Sequence, residues 1–182
     1  WGAPGRAVAA THNPEGRPSP PPALDRAPPR RNMAPMRRFG ETWRPGAPYR
    51  QRPGAYAAIL RGPMMLLAAT PADGETYLLP GGGVDPGESP LQALHREVME
   101  ETGWTVAPIR RLGAFQRYCF MPDYGFWARK ICMIHLCRAG RRIAPPLEPD
   151  HTPVWMPVKD AADALSISGE RHFVRRLLRG MG

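Results

Sequence analysis

Residues Gly82–Trp104 read GGVDPGESPLQALHREVMEETGW, a glycine-rich turn that runs into a short helix. Ser89 is a good N-cap, and Gln92 three residues on completes a capping box. Pro90 falls at the first helical position, where its missing N–H costs nothing. Gly103 stands where a left-handed residue ends a helix. Leu91, Leu94 and Val98 form the apolar stripe expected to be buried. Glu97, Glu100 and Glu101 then crowd the last turns, where the negative end of the helix dipole disfavours them. Glu97 also repels Glu100 at i,i+3 and Glu101 at i,i+4. At 100° per residue, Glu100 lies about 60° round the helix from Glu97, so all three carboxylates reach one space at its edge. A hard divalent cation held through oxygen, such as Mg2+, would relieve that repulsion.

The turn before the helix, Pro80 to Glu88, can take positive φ and lets a ligand approach closely, because its glycines carry no side chain. A glycine-rich turn alone is a weak signal. Its fixed spacing from the acidic helix is what gives it weight.

The segment resembles the signature of the Nudix hydrolases, G-x5-E-x7-R-E-U-x-E-E-x-G-U, in which U is bulky and apolar. Gly82, Glu88, Arg96, Glu97, Val98, Glu100, Glu101, Gly103 and Trp104 occupy its defined positions. The resemblance implies a single-domain α/β/α sandwich with a mixed β-sheet. It also implies metal-dependent hydrolysis of a phosphoanhydride bond in a nucleoside diphosphate linked to another moiety. By resemblance, Glu97, Glu100, Glu101 and the Gly82 carbonyl hold Mg2+, with Mn2+ as a substitute. Glu88 and Arg96 brace the loop against the helix. Simpler readings of those two residues are an exposed Arg96–Glu100 pair, worth about 0.3–0.5 kcal/mol, and a Glu88 charge near the positive helix end. Catalysis is expected from Glu97, Glu100 and Glu101. The general base is either a glutamate of this cluster or, as the resemblance implies, an acid on a later loop, with Glu148 the first choice and Asp150 and Asp123 as other candidates.

The flanking sequence agrees with such a fold. Gly54–Arg61, Met64–Thr70 and Thr76–Leu79 read as strands before the signature, with a turn at Arg61-Gly62-Pro63. Trp104–Phe120 and Phe126–Cys137 read as two long strands after it, and Val154–Val158 as a short last strand. Asp160–Leu165 and Ser168–Leu178 read as helices. The second carries Ser168 as N-cap, Phe173, Leu177 and Leu178 inward, and Arg175, Arg176 and Arg179 outward.

The 182 residues carry a formal net charge of +9, unevenly placed. Residues 1–53 hold 10 of the 25 basic and 3 of the 16 acidic side chains, and 12 of the 24 prolines. Residues 1–50 are expected to be a disordered Pro/Arg-rich segment, because they lack the apolar content to offset ordering entropy. Within them, residues 1–32 read as untranslated sequence, with a start at Met33 or Met36. Residues 51–182 are the expected catalytic domain. Its charge is close to balanced, so nucleic acid is not an expected partner.

No apolar run approaches the length of a membrane span, so a cytoplasmic protein without membrane contact is expected. Cys119, Cys132 and Cys137 read as reduced thiols, since Cys132, Cys137 and His135 supply too few ligands for zinc. His95 reads as a solvated residue beside the site. Tyr56, Phe115, Tyr118, Phe120, Tyr124 and Trp127 are candidates to stack a nucleobase, although strand aromatics more often fill a core. The expected partner is a nucleotide or nucleotide derivative, with a nucleoside triphosphate (including an oxidised one) first and ADP-ribose second. An RNA 5′-pyrophosphohydrolase, a non-catalytic nucleotide sensor and a homodimer remain open alternatives.

Overall fold

A computed structural model of the protein describes residues 36–71, 76–122 and 125–181. Asp123, Tyr124 and the segment 1–32 lie outside the described residues. Among the described residues there are eight strands: β1 (Arg38–Gly40), β2 (Arg50–Arg61), β3 (Met64–Thr70), β4 (Thr76–Leu78), β5 (Gly81–Gly83), β6 (Trp104–Met121), β7 (Phe126–Arg142) and β8 (Thr152–Pro157). The helices are α1 (Pro90–Thr102), α2 (Val158–Ala164) and α3 (Ser168–Arg179).

The strands form one mixed sheet in the order β1-β6-β7-β2-β3-β4, with β5 beside β2 and β8 beside β3. β2 is its central element. It runs parallel to β7 from Arg50 to Leu60. On its other side it pairs with β5 at one end and β3 at the other. Residues Gly54 to Ile59 are therefore buried on both faces, and their side chains alternate between two cores. Ala55, Ala57 and Ile59 pack with Leu94 and Val98 of α1. Tyr56 and Ala58 pack with Phe115, Leu165, Phe173 and Val174 beneath α2 and α3. Helices on both faces of a mixed sheet make the expected α/β/α sandwich.

Several local readings change. The glycine-rich turn contains a strand, β5, because Gly81–Gly83 pair antiparallel with Gly54–Tyr56. Only glycine fits at Gly81, where a Cβ would overlap the Ala55 carbonyl at φ +140°. β1 lies inside the segment expected to be disordered, held parallel to β6 with Phe39 edge-on to Phe115. Leu91 is 47% exposed, and the buried set of α1 is Ala93, Leu94, Val98, Glu101 and Thr102. The cap of α3 is Ile167, and Ser168 sits one residue inside with no side-chain capping bond.

Cys132 and Cys137 pack into opposite cores, so they cannot share an ion. Burial pushes both thiols up to about 12, which keeps them protonated. Trp104 fills the last signature position by packing edge-on against Trp155 beneath the Arg61 guanidinium.

Candidate active site

The helix α1 is built as its local chemistry requires. Ser89 N–H donates to Gln92 Oε1 at 2.8 Å, and Gln92 N–H donates to Ser89 Oγ at 3.3 Å. At the other end Gly103, with φ +71°, donates its N–H to the Met99 carbonyl. The glycine has a second task. A Cβ there would overlap the Ala144 carbonyl, and Gly103 O accepts the N–H of Ile143 at 2.8 Å. The carbonyl of Glu100 accepts the N–H groups of Leu147 at 2.7 Å and Glu148 at 3.3 Å. Carbonyls left over at a helix end need partners, and here they fasten the loop between β7 and β8 to the acidic turn.

Arg96 organises the other side. Its Nε and Nη2 donate to the two oxygens of Glu88 at 3.0 and 2.9 Å, a bidentate pair. Nη2 also donates to Gly83 O at 2.9 Å, tying α1 to β5. Nη1 donates to Glu97 at 2.8 Å and Glu100 at 3.1 Å. The brace geometry and the simple i,i+4 pair are thus both present in one guanidinium. Its hydrogen bonds hold the Glu88 carboxyl below the usual carboxylate range, and Glu88 in turn raises the guanidinium further.

The acids behave differently according to burial. Glu101 is 8% exposed, and its Oε2 accepts the Gly81 N–H at 2.9 Å. Burial pushes its carboxyl up to about 8, with Glu97, Glu148 and Glu170 adding to the effect. Burial also raises Glu97, against the opposing bond from Arg96. Glu97 lies against Gly82, where any Cβ would overlap its carboxylate. The Gly82 carbonyl sits near Gly54 on β2, within 2.7 Å of where a Gly54 Cβ would be. His95, in contrast, is exposed.

Glu148 converges with the signature acids. Glu97, Glu100 and Glu148 each offer an oxygen, all within 4.8 Å of one another. Glu101, Glu148 and His151 offer a second such group. These donors, with the space that Gly82 leaves for Glu97, fit a divalent cation. His151 was not singled out in the sequence. It lies 3.6 Å from Glu101 through Nε2 and 2.8 Å from Glu148 through Nδ1. Its signals were the i+3 spacing from Glu148 and its place at the mouth of a strand.

A cavity of about 330 Å3 opens over the site, lined by Glu97, Glu101, Glu148, Asp85, Arg52, Lys130 and Met121. It sets cationic side chains opposite the acids, an arrangement suited to a polyphosphate whose charge both sides share. A larger cavity, about 420 Å3, lies against α3 between Leu60, Leu112, Leu136 and Phe173 with Arg110 and Arg176. It holds no carboxylate, so the chemistry belongs to the smaller one. Among the candidate stacking residues, Tyr56 and Phe115 are buried core. Tyr118, Phe120 and Trp127 cluster with Tyr49 at the turn end of the β6–β7 hairpin, next to Met121 of the cavity.

Comparison with known proteins agrees with this geometry. A family model described as the NUDIX domain matches residues 50–177. The chain is 34% identical over 110 residues to an 8-oxo-(d)GTP phosphatase of Mycolicibacterium smegmatis, covering 58% of this chain and 31% of that protein. It is 36% identical over 67 residues to an RNA pyrophosphohydrolase of Halorhodospira halophila, 37% of each. A solved structure titled a NUDIX hydrolase from Nitrosomonas europaea superposes with a TM-score of 0.56 at 19% identity, covering 72% of this chain and 90% of that one. The chain spans less than half the length of the curated relatives it matches.

Proposed function

We infer function from one premise: the chain belongs to the Nudix domain family, whose model spans residues 50–177. On that premise we propose that it hydrolyses a phosphoanhydride bond in a nucleoside diphosphate linked to another moiety, with a nucleoside triphosphate as the favoured substrate. The supporting observation is the convergence of Glu97, Glu101 and Glu148 at one cavity, with Glu100 grouped beside Glu97 and Glu148 and with Arg52 and Lys130 on the cavity wall. The relative named as an 8-oxo-(d)GTP phosphatase supports the triphosphate and extends it to an oxidised base. ADP-ribose remains second.

A divalent cation at these carboxylates, Mg2+ or Mn2+, would neutralise phosphate oxygens and make a water more acidic, each worth several kcal/mol of barrier. Glu97, Glu100 and Glu101 are its proposed ligands, with the Gly82 carbonyl as a further oxygen donor. Arg96 and Glu88 keep those ligands in register with β5. Glu148 is the proposed base that takes the proton from the attacking water, since it is the most exposed acid of the set and touches both groups. Arg52 and Lys130 hold the outer phosphates in line. The proposed setting is cytoplasmic; no helix among the described residues is long and apolar enough to cross a membrane.

A second reading, hydrolysis at an RNA 5′ end, draws on the relative named as an RNA pyrophosphohydrolase. It also draws on the arginine–aromatic stacks Arg44–Trp127 and Arg50–Phe126. Both readings meet one test: phosphate and pyrophosphate release from nucleoside triphosphates, oxidised triphosphates, ADP-ribose and a 5′-triphosphorylated oligoribonucleotide, with and without Mg2+. Release from a triphosphate that needs the cation and is lost in Glu101→Gln is the expected result. No release from any of them, with the fold intact, would overturn the enzymatic reading.

A further inference from the structure

The imidazole of His151 is wedged between two carboxylates of the site. Its Nε2 is 3.6 Å from Glu101 Oε1, and its Nδ1 is 2.8 Å from Glu148 Oε2. Nδ1 is nevertheless buried and makes no hydrogen bond. The backbone sets this position. His151 N–H donates to the Glu148 carbonyl at 3.1 Å, and the next residue, Thr152, pairs with Ala69 at the start of β8. A buried nitrogen without a hydrogen bond, held beside two acids, calls for a partner.

We propose that His151 is a metal ligand, forming with Glu101 and one oxygen of Glu148 a nitrogen-containing cation position beside the carboxylates of Glu97 and Glu100, while the second oxygen of Glu148 keeps its role as base. The proposal rests on the metal-dependent reading above and sharpens it. Mg2+ favours oxygen donors and gains little from an imidazole. Nitrogen donation favours transition ions, so this position takes Mn2+, Co2+ or Zn2+ ahead of Mg2+.

The test is Mn2+ binding to the whole chain, followed by electron paramagnetic resonance, with pulsed measurements reading 14N coupling to the bound ion. Wild type is expected to show nitrogen modulation. His151→Asp, which keeps a ligand oxygen and removes the nitrogen, is expected to bind Mn2+ without it. His151→Ala is expected to lose about tenfold or more in Mn2+ affinity, but less than about threefold in Mg2+ affinity measured by competition. Bound Mn2+ with no nitrogen signal in the wild type overturns the inference and leaves the carboxylate metal site standing. Equal losses for Mn2+ and Mg2+ in His151→Ala overturn it too, since they mark a positioning role. No Mn2+ binding at all overturns both the inference and the metal-dependent reading.

Discussion

The carbonyl oxygen of Glu100 accepts the Leu147 N–H at 2.7 Å, so the last turn of α1 holds the loop that carries Glu148 and His151. Two parts of the site far apart in sequence are therefore one mechanical unit. Glu100 brings a carboxylate to the site through its side chain and the loop to it through its backbone.

Gly103 is the pivot of that unit. Gly103→Ala places a Cβ against the Ala144 carbonyl at a backbone angle that disfavours side chains. A stability loss of about 1–3 kcal/mol in urea unfolding is expected. The loop must shift as well, so turnover per folded molecule should fall. Turnover per folded molecule equal to wild type would mean that the loop reaches the site without this anchor.

Arg96 depends on its planar fork, not only on its charge. Arg96→Lys cannot reproduce the bidentate bond to Glu88 together with the bonds to Gly83, Glu97 and Glu100. Unsatisfied acceptors in this half-buried network should cost about 1–3 kcal/mol. Misplacement of the acids should lower kcat by about tenfold or more. Denaturant melts paired with steady-state kinetics check both, and a lysine variant matching wild type in each would remove the bracing role.

Glu101 makes cation binding pH-dependent. Without a cation its carboxyl titrates at about 8, so it is largely protonated at neutral pH. A cation must displace that proton, and binding should release about one proton per site at pH 7 and progressively fewer above pH 8. Affinity should accordingly rise with pH and level off beyond 8. Calorimetry in two buffers of different ionisation enthalpy counts the protons, and a count near zero at pH 7 would contradict the assignment.

Glu170 gives the fold its own pH slope. It is 1% exposed, accepts the Leu79 N–H at 2.9 Å, and is pushed by burial up to about 7. Between the ordinary carboxylate range and 7, the unfolded chain has released this proton and the folded chain still holds it. Stability should therefore fall as pH rises through that window, by about 3–4 kcal/mol in total. Glu170→Gln keeps an acceptor for Leu79 and cannot ionise. Denaturant melts from pH 5 to pH 8 should show a shallower decline in this variant than in wild type; parallel curves would refute the idea.

Much of the site was legible because local rules act over a few residues. Ser89, Gln92, Pro90 and Gly103 specify α1 through capping alone, and each stands where that chemistry places it. Glu148 was reached only through the family resemblance, which implies an acid on a loop after the long strands. Leu91 was misread because helical periodicity identifies a stripe but not which of its members tertiary packing covers. β5 was hidden because three glycines carry no strand propensity, and only their pairing with β2 orders them. β1 was hidden in proline-rich sequence because its support comes from β6 and Phe115.

The chain's own order of residues was enough to specify a capped, acid-crowded helix, since caps, spacing and like-charge crowding are short-range effects; the brace by Arg96 and the class of chemistry came with its resemblance to the family signature. The meeting of Glu101, Glu148 and His151, the high carboxyl of Glu101, and the cationic wall of Arg52 and Lys130 came from folding. Burial and charge–charge distance depend on which distant segments pack together, and no window of sequence contains them.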